Sequence, residues 1–373
     1  MTDLKFKTLG STKSKISTIG LGTGTGFKNI DKKEDRELVY ILQKALDLGV
    51  NFIDTAEIYF KGHAEKLIGK AFKKNREKVF IATKFSPEHS SYREVLKAAD
   101  SSLKRLQTDY IDLYQIHWPN PVVPIEETLK ALEKLKRMGK IRYIGVSNFS
   151  YRQLINILQI SNLPIVSLQT EYNLLERSIE KKLLPFCEEN KITVIAYMPL
   201  NSGKILKNAK YANILSSLAK KYNRTISQIV LNFLISHPKV ITIPATTNIF
   251  HLEENLKSTE FRIKTEDFKL IAKTFNMKET YLQPDEIKVA GISGHAVYRT
   301  IEEALENNLN FFPSPLMLSE DVRKGDFLKP IRVRNLKNKQ GNFKYGLLSG
   351  IIRYWAWVIA YKGKKPIPAI IED

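Results

Sequence analysis

Eight short β-branched runs dominate the sequence between residues 17 and 244: STIGLG, VNFIDT, VFIATK, YIDLYQIH, IRYIGVS, IVSLQTE, ITVIAYM and VITIP. Between them lie stretches such as ELVYILQKALDLG, REVLKAADSSLKRL and IEETLKALEKLKRMG, whose apolar residues recur at helical spacing. Two of these stretches stop at Gly49 and Gly139, where a helix C-terminus favours glycine. Near-continuous apolar strands, each followed by a helix or a long crossover, require a parallel sheet covered on its outer face. Eight such units predict a (β/α)8 TIM barrel of about 250 residues; a doubly wound sheet is the lesser alternative. A small hairpin is expected ahead of the barrel in LKFKTLGSTKSKI, and the barrel pattern ends near Phe275.

The rest of the chain changes character. LQPDEIKVAGISG reads as turns, TIEEALENN as a short helix, and FFPSPL as a proline loop. PIRVRN, a KNKQG turn, FKYGLLSG, a helix from about Arg353 and PIPAIIED complete a small α+β unit. Two domains are therefore expected, over 1–278 and 279–373.

With 59 Lys+Arg against 39 Asp+Glu, the net charge of +20 suits acidic or phosphorylated partners, although a lysine-rich solvated surface accounts for most of it. Eight basic residues against one acid, Asp326, fall between Arg323 and Lys344, a local concentration of positive charge in the second unit. That stretch has only Phe327 and Phe343 among its basic residues and no helix-turn-helix, which makes nucleic acid the least favoured partner. The single Cys187 excludes an intrachain disulfide, and the charged N-terminus lacks a signal-peptide core. The apolar run IIRYWAWVIAY is too short to span a bilayer. A cytoplasmic protein with no membrane partner is expected.

Barrel active sites form at the C-terminal ends of the strands. The second run ends in Asp54 with Tyr59 close behind, the third in Lys84 and the fourth in His117. A phenol titrates near about 10 in water and is a weak acid at neutral pH. A neighbouring ammonium favours the phenolate, and a carboxylate can hold that ammonium in place. Asp54, Lys84 and Tyr59 can thus form a general acid that also works as a base, with His117 orienting a substrate oxygen. The set contains no activated nucleophile, and His117 has no companion metal ligands. Protonation of an oxygen coupled to hydride delivery by a nicotinamide fits these groups best.

The stretches NFIDTAEIY, FIATKF, DYIDLYQIHWP, GKIRYIGVSNF, LQTEYNLLER, VIAYMPL and HLEENL resemble the aldo-keto reductases over about residues 4–275. The resemblance implies an NAD(P)(H)-dependent oxidoreductase acting on a carbonyl or alcohol. In it Asp54, Tyr59, Lys84 and His117 form the catalytic tetrad, with Tyr59 as proton donor. Ser147, Asn148 and Gln169 would hold the nicotinamide carboxamide, and Tyr197 would stack on its ring. Gly22, Thr23 and Leu200 would line the cofactor channel beside Asp54. Thr246, His251, Glu254 and Asn255 would meet the adenosine end. Basic residues usual in that family are replaced: Ala245 and Asn248 are uncharged, and His251 takes a common arginine position. Only Lys204 and Lys207 of the preceding loop remain as nearby cations, so both NADP and NAD are expected as cofactors. The run GTGTG at 22–26 is expected to be a flexible loop over the cofactor and not a Rossmann fingerprint, since no helix opens directly on it.

The second unit resembles the ParB/sulfiredoxin-like fold in LQPDEI, KPIRVR, SGIIRYWAW and IPAIIED. There Gly350 and Arg353 match a turn that holds nucleotide phosphates, while Ile351 replaces the reactive cysteine of sulfiredoxins and excludes that reaction. The favoured reading of this unit is a docking domain whose hydrophobic helix, with Tyr354, Trp355 and Trp357, packs on its own sheet or on the barrel and serves a partner or a second subunit. The resemblance together with the positive charge implies, as the alternative, a substrate bearing phosphate or a nucleotide, such as a nucleotide-linked sugar. Rival readings are a redox-sensing regulator that keeps the barrel as a binding module, and a nucleic-acid-associated protein led by the tail.

Overall fold

The computed structural model describes residues 5–24, 32–207, 209–276, 278–289, 297–311, 313–325 and 329–372. Thr25, Gly26, the FKNID segment after them, the GISG turn and Asp326 lie outside the described residues, as does the side chain of Lys207. The chain divides into two compact units, one comprising Met1–Phe149 with Leu154–Phe275 and the other Ser150–Gln153 with Asn276–Asp373.

In the first unit the hairpin β1 (Phe6–Thr8) and β2 (Lys15–Ser17) precedes eight parallel strands. These are β3 (Leu21–Gly22), β4 (Phe52–Asp54), β5 (Phe80–Phe85), β6 (Ile111–Ile116), β7 (Ile141–Ser147), β8 (Ile165–Glu171), β9 (Thr193–Tyr197) and β10 (Val240–Thr242). Each hydrogen-bonds to the next in sequence order, and parallel bridges Ile19–Thr242 and Gly22–Ala245 join the first to the last. The barrel is thereby closed, and the doubly wound alternative is excluded. Closure explains Gly22: a Cβ there would lie 2.7 Å from the carbonyl oxygen of Ile243, so only glycine lets the two segments approach.

The helices are α1 (Lys32–Asp47), α2 (His63–Phe72), α3 (Tyr92–Leu106), α4 (Ile125–Arg137), α5 (Tyr151–Ile160), α6 (Leu183–Glu189), α7 (Ala209–Tyr222), α8 (Ile226–Ile235), α9 (Ile249–Leu256) and α10 (Thr265–Thr274). Strands β5 and β6 are buried along their whole length, the signature of a sheet covered on both faces. The barrel interior is filled by Phe52, Phe80, Leu113, Val166, Ile195 and Ile241, joined by Leu9 and Ile16 of the hairpin. The hairpin therefore plugs one mouth of the barrel and leaves the chemistry to the other.

The second unit holds a five-stranded sheet in the order β11 (Glu279–Leu282), β15 (Ile367–Ile371), β13 (Ile331–Gln340), β14 (Phe343–Ser349), β12 (Ile287–Lys288). Its helices are α11 (Ile301–Glu306), α12 (Pro315–Arg323) and α13 (Ile351–Tyr361). Three expectations need correction. The proline loop is the start of α12: the Ser314 hydroxyl accepts from the Met317 amide and Pro315 takes the first turn, where a missing N–H does no harm. The KNKQG turn is mostly strand, with β13 running to Gln340. The turn-rich segment contributes β12 and the end of β11. Helix α13 buries Tyr354, Trp355, Ala356 and Ile359 against the sheet. Both aromatic polar tips are satisfied, Trp355 Nε1 by the Tyr298 carbonyl (3.0 Å) and the Tyr354 hydroxyl by that of Pro284 (2.9 Å). Among the described residues no helix is long and apolar enough to cross a membrane.

Candidate active site

The ends of β4, β5 and β6 bring four polar side chains together. Asp54 is the last residue of β4, Lys84 lies near the end of β5, and His117 follows β6 directly. Tyr59 opens a short turn, Tyr59–Gly62, that leads into α2. Lys84 is fully buried and spends its ammonium on three oxygens: Asp54 Oδ1 at 2.7 Å, the Thr55 carbonyl at 2.7 Å and the Tyr59 hydroxyl at 3.3 Å. Gln169 Nε2 donates to the other Asp54 oxygen at 2.9 Å. The carboxylate is thus fixed from two sides, and it fixes the ammonium in turn.

Burial works against the Lys84 charge, but Asp54 and Tyr59 outweigh it and hold its pKa above the ordinary value. Burial also pushes the Asp54 carboxyl upward, against the pull of Lys84 and Gln169. These directions oppose each other over the pair's charge; an ammonium enclosed by three oxygens decides for the ionic form, since three donors are needed to satisfy them. Burial raises the Tyr59 phenol, and the Lys84 ammonium offsets only part of that rise. Lys84 thus favours the phenolate as expected, but enclosure dominates, and the phenol stays protonated at neutral pH. A protonated phenol bonded to an ammonium is poised to give its proton to a developing oxyanion.

His117 is pushed down to about 2 by burial, with the Lys84 charge adding to the effect, so the ring is neutral at working pH. Its Nδ1 is buried with no hydrogen-bond partner among the described residues. A sealed lone pair is more tolerable than a sealed N–H, which places the proton on Nε2, the nitrogen left for a substrate oxygen. The ring meets Tyr59 edge-on at 5.9 Å and stacks on Trp118 at 3.7 Å.

The residues expected to hold a nicotinamide lie at the ends of β7, β8 and β9. Asn148 has φ +61°, a conformation asparagine tolerates. Its Nδ2 donates to the His117 carbonyl (3.0 Å) and to Ser147 Oγ (3.1 Å), and its Oδ1 accepts from the Tyr197 hydroxyl (2.9 Å). Ser147 and Gln169 are buried beside them. Amide and hydroxyl groups with both donors and acceptors, next to a phenol ring, fit a carboxamide on a flat ring. Thr23 Oγ1 donates to the Asp54 carbonyl at 2.9 Å, tying the end of β3 to the same wall. Leu200 packs against Ile19, Leu231 and Ile235.

Thr246, His251, Glu254 and Asn255 gather around α9. Thr246 Oγ1 accepts from the Asn248 amide (3.0 Å), and Asn248 Oδ1 caps the helix by accepting from Phe250 N (2.8 Å). Glu254 accepts from the Thr225 hydroxyl at 2.5 Å, and Asn255 is buried. In the second unit Gly350 is the left-handed N-cap of α13 (φ +96°). Arg353 Nη2 lies 3.1 Å from where a Gly350 Cβ would stand, and Arg353 Nη1 donates to the carbonyls of Lys329 (3.0 Å) and Pro330 (2.8 Å).

Sequence reasoning missed three participants. The Thr55 carbonyl is backbone, invisible to residue type. Trp118 stacks on His117, and its place directly after that residue is the signal that it walls the site. Gly24 lies against the Tyr59 ring, where an added Cβ would come within 3.0 Å of Cζ.

Residues 18–275 match the aldo/keto reductase family. The chain is 35% identical to methylglyoxal reductase YeaE of Escherichia coli (strain K12) over 262 residues, covering 70% of this chain and 92% of that one. It is 34% identical to glyoxal reductase of Bacillus subtilis (strain 168), covering 72% and 92%. Among solved structures, a thermostable aldo-keto reductase in complex with the inhibitor epalrestat aligns at TM-score 0.69 and 44% identity, covering 72% of this chain and 99% of that one. An aldo/keto reductase from Klebsiella pneumoniae in complex with NADP and acetate aligns at TM-score 0.67 and 31% identity, covering 73% and 95%.

Proposed function

The chain belongs to the aldo/keto reductase family and is an NAD(P)-dependent oxidoreductase, and from that premise we propose that it reduces small reactive carbonyls of the glyoxal and methylglyoxal kind, with Tyr59 as proton donor. The observation that carries this reading is the enclosed Lys84 ammonium, bonded at once to Asp54 and to the Tyr59 hydroxyl. A reduced nicotinamide supplies hydride at such a site. The chain's own groups do the rest. His117 Nε2 donates to the carbonyl oxygen and orients it. The Tyr59 hydroxyl gives that oxygen its proton as negative charge develops there. Lys84 stabilises the phenolate left behind, and Asp54 keeps the ammonium charged and in place. Ser147, Asn148, Gln169 and Tyr197 bind the nicotinamide end, and Gly22, Thr23 and Leu200 line its approach. The Klebsiella neighbour was solved with NADP, which supports that cofactor for this chain.

The adenosine end argues for weak discrimination. Ala245 and Asn248 bring no charge, and Asn248 already caps α9. A 2′-phosphate held without a guanidinium or ammonium forgoes charge-assisted hydrogen bonds worth about 1.5–3 kcal/mol each. Fluorescence titration of the purified protein is expected to show NADPH preferred over NADH by less than about tenfold. A preference above about a thousandfold, roughly 4 kcal/mol, contradicts the assignment of this subsite.

The proposal extends to a two-domain, cytoplasmic protein whose tail, 279–373, is a ParB/sulfiredoxin-like domain that holds a phosphate- or nucleotide-bearing substrate or a second copy of the chain. The succession β14, Gly350, α13 supports it, as does the concentration of basic residues between Arg323 and Lys344. A phosphate at Gly350 must compete with the Lys329 and Pro330 carbonyls for Arg353. Calorimetry of the full chain against a panel of nucleotides and nucleotide sugars is expected to show saturable binding that weakens in Arg353→Ala. Absence of heat with the intact protein overturns the ligand role.

A further inference from the structure

The turn that carries Tyr59 is built against the preference of its own backbone. Phe60 (φ +52°, ψ +40°) and Lys61 (φ +56°, ψ +42°) are both left-handed, and Gly62 follows at φ +80°. Two successive non-glycine residues in that region are disfavoured, because each brings Cβ against a neighbouring carbonyl. Something outside the turn must hold it. Gly62 is fixed from below by Arg105, whose Cδ lies 2.6 Å from where a Gly62 Cβ would stand and whose Nε donates to the buried Glu65 at 2.6 Å. His63 Nε2 meets Asp35 Oδ1 at 2.6 Å, tying the start of α2 to α1. Phe60 itself sends its ring into an apolar cluster with Leu38 and Val39 of α1 and Leu67 of α2.

We propose that Phe60 is a positioning residue for Tyr59: its ring, anchored between α1 and α2, holds the adjoining backbone left-handed and so keeps the Tyr59 hydroxyl within reach of Lys84. The inference rests on Tyr59 as the proton donor. Its physical content is a balance between an apolar anchor and an opposing backbone preference. If the ring is cut back to alanine, the backbone keeps its preference against the turn and loses the anchor. If it is cut back to glycine, the anchor is lost too, but glycine occupies the left-handed region without opposition. A residue that mattered only for packing gives the reverse ranking, since glycine removes more contact than alanine.

The test compares Phe60→Ala, Phe60→Gly and Phe60→Leu in the full chain, with NADPH and methylglyoxal as the assay pair. In Phe60→Ala, kcat is expected to fall about tenfold with KM changed less than about twofold, which corresponds to roughly 1.4 kcal/mol. Phe60→Leu, which keeps an apolar anchor, and Phe60→Gly are expected to stay within about threefold of the parent. A second measurement needs no turnover: hydrogen exchange of the His63 amide, which donates to the Phe60 carbonyl across the turn. It is expected to accelerate in Phe60→Ala and to stay near the parent in Phe60→Leu. Equal losses in alanine and glycine reduce Phe60 to packing and overturn the proposal, as does an alanine variant with parental kcat or parental His63 exchange. Near-parental turnover by Tyr59→Phe, in contrast, overturns the donor assignment while the exchange data still report on the turn.

Discussion

Replacement of Lys84 by methionine is expected to abolish turnover and to destabilise the fold by about 3–5 kcal/mol, the usual result of removing one partner from a buried ion pair. Lys84 and Asp54 are both essentially sealed from solvent, so neither charge has water to fall back on. Without the ammonium, Asp54 keeps only the Gln169 amide as a side-chain donor among the described residues. Burial already raises the Asp54 carboxyl, and loss of Lys84 removes the largest opposing influence. A carboxyl raised in the folded state stabilises below its unfolded pKa and loses that contribution as pH rises through the folded value. Destabilisation in Lys84→Met should therefore grow from about pH 5 to about pH 8. Urea denaturation at the two pH values checks it. An equal deficit at both means that Asp54 does not carry the penalty.

The barrel was legible because a closed parallel sheet leaves a simple trace. Strands covered on both faces must be apolar throughout, and β5 and β6 read as FIATKF and IDLYQI with little interruption. The grouping of Asp54, Tyr59, Lys84 and His117 was legible for a related reason: polar residues at the ends of such strands stand out. The tail was less legible because its elements are short and partly exposed. Helix α12 begins with Pro315, and its mean apolarity is too low to outvote the prolines of FFPSPL. Strand β13 ends in KNKQ, whose lysines and asparagine are depleted in strands when the partner strand is not considered.

Within the site, residue types were readable and backbone was not. Nothing in TAEIYFKG announces that Phe60 and Lys61 adopt left-handed conformations, since neither residue prefers them. The Thr55 carbonyl that completes the shell of Lys84 has no signature in the sequence. The sign of the Tyr59 shift was missed for a similar reason. Proximity to an ammonium can be inferred from spacing, but the depth of enclosure that outweighs it follows from the packing around the barrel mouth.

Tyr59→Phe removes one oxygen and leaves the ring against Gly24 and His117, so it isolates the proton from the shape of the pocket. Lys84 and Asp54 stay paired, and Ser147, Asn148, Gln169 and Tyr197 are untouched, so nicotinamide binding should persist. A positioned general acid contributes about 10²–10⁴-fold to rate. The decisive measurement is steady-state reduction of methylglyoxal by Tyr59→Phe alongside its cofactor dissociation constant. A fall in kcat of at least about a hundredfold with cofactor affinity unchanged is the predicted result; turnover close to that of the parent protein contradicts Tyr59 as the proton donor.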